Sequence, residues 1–229
     1  MIVPITPQEG WQSVFIVAKQ WEPPRVRTIL VAPHPDDESL ATGGFIAGLI
    51  SSDVQVQVIA VTDGENAYAA FPDLGNIRRC EQEKALQVLG VSPREIVRLG
   101  LPDSAVSGHE TELVNALSAV VTPQTHVIAP WLKDFHPDHE ACGRAARQVA
   151  EDVGAQLTFY FFWTWHRGTP SLLEDLPLRF FQLSRDQQRT KMQAIRHHQS
   201  QLVRSSGDPI LPDSVLWPVR LPFELFLPQ

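Results

Sequence analysis

The sequence alternates between short runs of β-forming apolar residues and longer stretches with helical periodicity. Strands that alternate with helices along a chain are typical of parallel βαβ units, in which helices cover both faces of a sheet. The near-continuous apolar character of these runs agrees with burial on both faces. The predicted strands are residues 28–32, 54–62, 95–99, 126–129 and 157–163. The sequence therefore predicts an α/β fold built on a parallel sheet.

Helical patterns separate these strands. Residues 113–121 carry an apolar stripe at i, i+4, i+7 and i+8, and a similar stripe begins near His139. Ser184 with Gln187 three residues later predicts a capping box, which begins a helix running to about Ser200. These helices supply the layers that would cover the sheet.

The length of 229 residues fits one domain, because domains usually run to about 100–200 residues. The core is expected within residues 28–201. Residues 1–27 and the Pro-rich segment 208–229 also contain apolar side chains, and we expect both to pack on that core. The sequence thus predicts a single domain with two extensions.

The charge balance argues against nucleic-acid binding. The chain has 19 Lys and Arg against 26 Asp and Glu, which gives a net charge of -7. No basic run is present that would neutralise a phosphate backbone. A small-molecule substrate is therefore the expected partner, and a homo-oligomer remains open.

The cysteine content and the hydropathy predict a cytoplasmic protein. Cys80 and Cys142 are too few for a disulfide framework, and both are expected at inward helix positions. Such thiols fit a reducing cytosol. We find no signal-peptide pattern at the N-terminus and no apolar stretch of the ~20 residues that a membrane span needs.

Two His-Pro-Asp tripeptides follow two of the predicted strands. The first lies in the segment APHPDDE, which contains His34, Asp36 and Asp37, and the second is His136-Pro137-Asp138, followed by His139. In a parallel α/β sheet, ligands bind beyond the carboxyl ends of the strands, so a site is expected where these segments meet.

The residue types in these segments suit a divalent metal. His34, Asp37 and His139 can supply two nitrogens and one carboxylate oxygen, a set that fits zinc, iron(II) and neighbouring metals. Asp36 could then face the open side and take a proton from water. Taken singly, an Asp-Asp pair at the start of a helix is more often an N-cap, where the helix dipole favours a carboxylate. The presence of both segments favours the chemical interpretation.

The ordered set of motifs resembles the LmbE-like, or PIG-L, family of metal-dependent deacetylases. The resemblance covers residues 28–201 and is more specific than any one motif. Besides the two His-Pro-Asp segments, the matching positions are Thr62-Asp63-Gly64, Arg78, Glu81, Ala85, Leu89-Gly90, Leu101-Pro102-Asp103 and His198-Gln199-Ser200-Gln201. Pro33 departs from the family, which more often has Ala directly before the histidine.

The resemblance implies a Rossmann-like, three-layer α/β/α fold with a mostly parallel sheet of about five or more strands. It also implies a zinc-dependent hydrolase that removes the N-acetyl group from an N-acetylglucosaminyl-type compound, with iron(II) or another divalent metal as alternatives to zinc. The implied roles are metal ligand for His34, Asp37 and His139, general base for Asp36, general acid or oxyanion stabiliser for His136, and substrate contact for Arg78. Asp138 would help to orient or charge the ring of His136.

Four other interpretations remain open from the sequence. A non-haem iron(II) oxygenase uses two histidines and one carboxylate, but it would be expected in a β-rich frame. A metal-dependent phosphoesterase would usually need two metals and more carboxylates. The chain could also be an amidase for a non-sugar or thiol-conjugate amide, or a non-catalytic binding protein that retains the metal site.

Overall fold

The computed structural model describes residues 3–68, 71–204 and 208–229. Within these ranges one mixed sheet contains eight strands in the order β1-β7-β8-β6-β5-β2-β3-β4. The strands are β1 (Lys19–Gln20), β2 (Thr28–Ala32), β3 (Val56–Ala60), β4 (Ile96–Arg98), β5 (His126–Pro130), β6 (Gln156–Tyr160), β7 (Arg179–Gln182) and β8 (Phe223–Pro228). All neighbouring strands pair in parallel except β8, which is antiparallel to both β6 and β7. The predicted α/β fold with a mostly parallel sheet is confirmed.

Helices lie on both faces of this sheet. They are α1 (Gln12–Val17), α2 (Asp37–Ser51), α3 (Leu74–Val88), α4 (Glu110–Ser118), α5 (Pro137–Val153), α6 (Thr164–Arg167), α7 (Arg185–Ile195) and α8 (Gln199–Leu202). Short 3₁₀ turns cover Gln8–Trp11, Pro93–Glu95, Val106–Gly108, Pro170–Leu172, Asp213–Val215 and Pro218–Arg220. No helix in the described part of the chain combines the length and the apolar character needed to cross a membrane.

The period-2 alternation of β2 divides the core into two layers. Ile29 and Val31 are buried in a cluster with residues of α4 and α5. Leu30 and Ala32 are buried in a second cluster, with residues of α2, α3 and α7. Successive strand side chains point to opposite faces, so a fully buried strand needs helices on both sides. The sheet is therefore the middle layer of three.

The C-terminal residues form part of the sheet itself. Strand β8 lies between β6 and β7, and its residue Glu224 is buried. The Glu224 carboxylate accepts hydrogen bonds from the backbone N–H groups of Gly44 and Phe45 at 2.9 and 2.7 Å. It also pairs with Lys191 of α7 at 2.7 Å, which compensates both buried charges. The C-terminal strand thereby holds α2, the helix that begins at Asp37.

Two sequence-based expectations differ from the structure. Cys142 is buried, but Cys80 is exposed, because it lies two residues after the buried Arg78 and so projects from a different side of α3. The capping box at Ser184 is present, but α7 ends at Ile195 instead of continuing to about Ser200. A separate short helix, α8, begins directly after His198.

Candidate metal centre

The two His-Pro-Asp segments meet at the carboxyl edge of the sheet. Strands β2 and β5 are parallel neighbours in register, with Thr28 opposite His126. The chain leaves β2 through His34 into the start of α2, and it leaves β5 through a loop into α5, which begins at Pro137. Because both strands run in the same direction, both loops emerge at the same edge.

Two of the predicted site residues converge on a carboxylate oxygen of a third. Asp37 Oδ2 lies 3.3 Å from His34 Nδ1 and 3.2 Å from His139 Nε2. The same oxygen accepts a hydrogen bond from the backbone N–H of His34 at 2.9 Å, which fixes the turn. Ring nitrogens of His34, His136 and His139 all lie within 4.8 Å of one another. His34, Asp37 and His139 are all buried.

The far side of each histidine ring is held by carboxylates. His139 Nδ1 lies 2.8 Å from Asp134 Oδ2, and His34 Nε2 lies 3.1 Å from Asp138 Oδ2 and 3.3 Å from Asp103 Oδ1. These contacts fix the far nitrogens as donors, so His34 Nδ1 and His139 Nε2 face each other across Asp37. Nε2 of His139 is buried and, although it lies 3.2 Å from Asp37 Oδ2, it makes no hydrogen bond within the described ranges. Such back-to-back support is typical of metal-ligating histidines, so this donor set fits a divalent metal.

The buried carboxylates of the cluster favour positive charge on the two histidines or on a cation between them. Burial disfavours charge on His139, but Asp37 and Asp134 outweigh it and raise the pKa of His139 to about 9. The pKa of His34 is likewise raised well above its usual range, because its bonds to Asp103, Asp138 and Asp37 outweigh burial. The two histidines in turn lower the pKa of Asp37, despite its burial. A divalent cation would compensate the charge of these carboxylates and replace the proton on the nitrogen of each ring that faces Asp37.

Asp36 is the N-cap residue of α2 and has an unusual backbone conformation. Its φ of 149° is rarely adopted by a residue with a side chain, and such strain is common at functional sites. The carboxyl group is buried, and burial together with Asp37 raises its pKa well above the usual range, against the opposing effects of Arg78 and His34. Asp36 therefore binds a proton more readily than an ordinary aspartate.

His136 lies beside His34 and His139, and no carboxylate of the described residues bonds to its ring nitrogens. Its Nδ1 accepts a hydrogen bond from the backbone N–H of Asp138 at 3.3 Å, and its ring stacks on Trp163 with centroids 5.8 Å apart. Burial, followed by the charges of His139 and His34, lowers the pKa of His136 to about 4. The neutral ring then carries its proton on Nε2.

The carboxylate of Asp138 contacts His34 and not His136. It accepts hydrogen bonds from the backbone N–H groups of Ser104 and Val106 at 2.8 and 3.1 Å, besides its contact with His34. Only the backbone N–H of Asp138 reaches His136. The Asp138 carboxylate therefore makes its hydrogen bonds to other groups, while its charge raises the pKa of His136 against the larger effect of burial. That Asp138 helps to orient or charge the ring of His136 stays a prediction.

Arg78 links the loop of Asp36 to two other motif segments. Its guanidinium donates to the carbonyl oxygens of Gly64 (2.8 Å) and Pro35 (3.2 Å) and to Gln201 Oε1 (2.9 Å). Gln201 in turn donates to the same Pro35 oxygen at 2.6 Å. The guanidinium lies 3.7 Å from Asp36 Oδ2, and its buried Nε has no partner in the described part of the chain.

The other motif residues join α8 to the helices that carry Arg78 and Asp37. Glu81 accepts hydrogen bonds from the backbone N–H and the hydroxyl of Ser200 at 2.8 and 2.7 Å, so α3 and α8 are joined. His198 Nε2 lies 3.0 Å from the hydroxyl of Ser39 in α2, and burial lowers the pKa of His198 to about 3. A neutral His198 thus connects α8 to the helix that begins at Asp37.

A cavity of about 110 Å³ opens above the cluster. Its polar side includes His34, Asp36, Asp37, Arg78, Asp103 and His136, and its apolar side includes Ala67, Phe162, Trp163, Ile210 and Leu211. Phe162, Ile210 and Leu211 were not anticipated from the sequence, because they come from segments that only the tertiary fold brings here. Asp134 was also missed, although an acidic residue in the loop just before a His-Pro-Asp segment was a usable signal.

Comparisons with solved structures agree with the fold. The conserved protein TT1542 from Thermus thermophilus is 26% identical, with a TM-score of 0.60 that covers 76% of this chain and 79% of that one. The N,N'-diacetylchitobiose deacetylase from Pyrococcus horikoshii is 24% identical, with a TM-score of 0.62 over 90% of this chain and 75% of that one. This second likeness concerns the fold alone.

Sequence comparisons point in the same direction. A probable N-acetyl-alpha-D-glucosaminyl L-malate deacetylase 2 from Bacillus cereus is 30% identical over 128 residues, which is 51% of this chain and 57% of that protein. A 1D-myo-inositol 2-acetamido-2-deoxy-alpha-D-glucopyranoside deacetylase from Mycolicibacterium smegmatis is 32% identical over 171 residues, which is 60% of this chain and 59% of that protein. The chain thus spans less than two thirds of the length of these relatives. The family model described as PIG-L, GlcNAc-PI de-N-acetylase, matches residues 29–150, more than half of the chain, and the protein therefore belongs to the PIG-L family.

Proposed function

We propose that the protein is a zinc-dependent deacetylase that removes the N-acetyl group from an N-acetylglucosaminyl-type substrate. The observation that carries this proposal is the convergence of His34 Nδ1 and His139 Nε2 on Asp37 Oδ2, at 3.3 and 3.2 Å. The two relatives are named as deacetylases of a glucosaminyl malate and of a glucosaminyl inositol compound, and these names support an N-acetylglucosaminyl substrate.

His34, Asp37 and His139 would hold the metal. Two imidazoles and one carboxylate suit zinc, with iron(II) or another divalent ion as alternatives, and three protein ligands are typical of catalytic zinc. When bound, such an ion polarises an amide carbonyl and lowers the pKa of water. The carboxylates behind His34 and His139 would keep their far nitrogens protonated and the facing nitrogens available.

Asp36 would act as the general base. Its carboxyl group lines the cavity beside Asp37, and its raised pKa favours acceptance of a proton from the attacking water. The water oxygen forms the new bond to the acetyl carbon, and the C–N bond then breaks. Asp36 returns the proton to the departing nitrogen, so the products are acetate and a free amine.

His136 would stabilise the tetrahedral oxyanion. Its Nδ1 is occupied by the backbone N–H of Asp138, so the neutral ring presents Nε2–H as a donor. Burial, the largest cause of the low pKa of His136, favours this role over that of a proton-bearing general acid. Arg78 lines the same cavity and would contact the sugar, while Trp163 and Leu211 form an apolar wall beside it.

The test is acetate release by zinc-loaded protein from a substrate panel. The panel contains N-acetylglucosamine, its malate and inositol glycosides, an N-acetylated thiol conjugate and an N-acetylated amino acid. We expect equal amounts of acetate and free amine from at least one glucosaminyl compound, one zinc per chain, and no activity after chelation.

Other results would redirect the assignment. Release only from the thiol conjugate or the amino acid would identify an amidase for a different substrate class. Two metals per chain would favour phosphoester hydrolysis. Bound zinc with no release from any compound would favour a binding protein.

A further inference from the structure

Asp134 joins a candidate metal ligand to the wall of the cavity. Its side chain is completely buried, and Oδ2 lies 2.8 Å from His139 Nδ1. Its other contacts come from the turn after β6. The backbone N–H of Phe162 donates to Oδ1 at 3.1 Å, that of Trp163 donates to Oδ2 at 3.2 Å, and Thr164 donates to Oδ1 through its N–H (2.9 Å) and its hydroxyl (2.6 Å).

Each of these contacts needs an acceptor at Asp134. Backbone N–H groups face both of its oxygens, and His139 faces Oδ2. An asparagine here would place an NH₂ group against an N–H in either orientation. A buried donor left without an acceptor costs about 1–3 kcal/mol, so the site requires a carboxylate.

The turn that Asp134 holds also supports His136. Phe162 and Trp163 line the cavity, and the ring of Trp163 stacks on that of His136 at an interplanar angle of 22°. The guanidinium of Arg167 lies 4.3 Å from the centroid of the same indole and donates to the carbonyl oxygen of Phe135 at 2.6 Å, next to His136. Displacement of this turn would therefore disturb the groups packed against His136.

We infer that Asp134 is a positioning residue with two effects. It orients the ligand nitrogen of His139, and through its hydrogen bonds to the backbone of Phe162 and Trp163 it holds the indole that packs on His136. One buried carboxylate thus fixes the position of His139 in the metal site relative to His136 in the oxyanion site. The inference rests on the proposed function in one respect, because it takes His139 to be a metal ligand.

The test measures Zn²⁺ affinity by competition with a chromophoric chelator, together with kcat and KM at saturating Zn²⁺. We expect Asp134→Asn to weaken Zn²⁺ binding about 10–100-fold, the usual effect of losing such a partner, and to lower kcat even when zinc is saturating. Trp163→Leu should leave the Zn²⁺ Kd unchanged and lower kcat by up to about 10²-fold, because the indole packs on His136 and lines the cavity but contacts none of the three proposed metal ligands.

A matched control separates positioning from stability. Thr158→Val removes the hydroxyl 2.9 Å from Nε2 of another buried histidine, His126, at the opposite end of β5. It should lower the Tm without changing the Zn²⁺ Kd. Equal Zn²⁺ affinity in Asp134→Asn and the unmodified protein would overturn the inference and leave the proposed function intact. Failure of the unmodified protein to bind Zn²⁺ would instead contradict the proposed function.

A second measurement needs no variant. In zinc-loaded protein with ¹⁵N-labelled histidine, the ring shifts of His139 should show a proton on Nδ1 and coordination through Nε2. Coordination through Nδ1 would contradict the role of Asp134 even if Asp134→Asn does not fold.

Discussion

Gly64 and Arg78 are packed so closely that a methyl group on Gly64 would overlap the guanidinium of the arginine. Gly64 also has a φ of +65°, which residues with a side chain rarely adopt. The same guanidinium holds the Gly64 and Pro35 carbonyl oxygens, so the position of the Asp36 loop depends on this contact. A larger residue at position 64 must therefore displace Arg78.

Gly64→Ala is expected to reduce kcat/KM, because Arg78 would move away from the cavity and from Asp36. Gly154→Ala is the matched control: its φ is +75°, but an added methyl group meets no described atom within 4 Å. Both variants should lose about 1–2 kcal/mol of stability from the left-handed backbone. Steady-state kinetics and thermal unfolding check this, and equal kcat/KM in the two variants would remove Arg78 from the active arrangement.

Asp36→Asn tests the general base. We expect the variant to bind zinc normally and to lose roughly 10²–10⁴ in kcat, the usual size of a general-base effect. The amide retains the shape of the side chain but cannot accept the proton from water. Acetate release and metal content are measured on the same preparation, and an unchanged kcat would exclude Asp36 as the base.

His139→Ala and His136→Ala distinguish a ligand from its neighbour. Ring nitrogens of His34, His136 and His139 lie within 4.8 Å of one another, so distance alone allows either residue to ligate. The carboxylate behind His139 favours that residue. We expect His139→Ala to lose stoichiometric zinc and His136→Ala to retain it with reduced kcat. Metal analysis after dialysis measures the zinc content of both variants. Loss of zinc from His136→Ala but not from His139→Ala would exchange the two roles.

The strands that sequence reasoning identified are those with strong local signals. Strand β2 was located correctly because every one of its residues is buried, and β5 was located to within one residue. Strands β1, β7 and β8 were missed. Strand β1 has only two residues, and three of the four β7 residues are only partly buried. For the Pro-rich segment 208–229 we expected only packing on the core, because the position of β8 is set by pairing with distant strands.

In the candidate site, too, features with a local sequence signal could be predicted, and contacts made by distant segments could not. The meeting of the His34 and His139 segments could be anticipated, because both follow strands of one parallel sheet. The contact of Asp134 with His139 could have been suspected from its place just before the second His-Pro-Asp segment, but its contacts with residues 162–164 could not, since they come from the turn after β6. The contacts of the Asp138 carboxylate with Ser104, Val106 and His34 could not be anticipated either, because spacing along α5 does not determine which neighbouring loop it contacts.

His126 provides a test of stability against pH that is independent of the site. It is buried at the start of β5, with Nε2 2.9 Å from the Thr158 hydroxyl, and burial lowers its pKa to about 4. In the unfolded chain the pKa returns to about 6.5. Between these values the unfolded state binds the additional proton, so stability is complete above pH 6.5 and falls as the pH decreases toward 4.

The prediction is that this loss reaches about 3 kcal/mol for His126 alone, since each pKa unit corresponds to about 1.36 kcal/mol. His126→Gln has no titrating ring but can still bond to the Thr158 hydroxyl. The free energy of unfolding of both proteins, measured by urea titration from pH 8 to pH 4, should therefore converge or cross as the pH falls. Parallel curves over this range would mean that His126 takes up its proton in the folded protein as easily as in the unfolded chain, which would contradict the proposed cost of charging it inside the sheet.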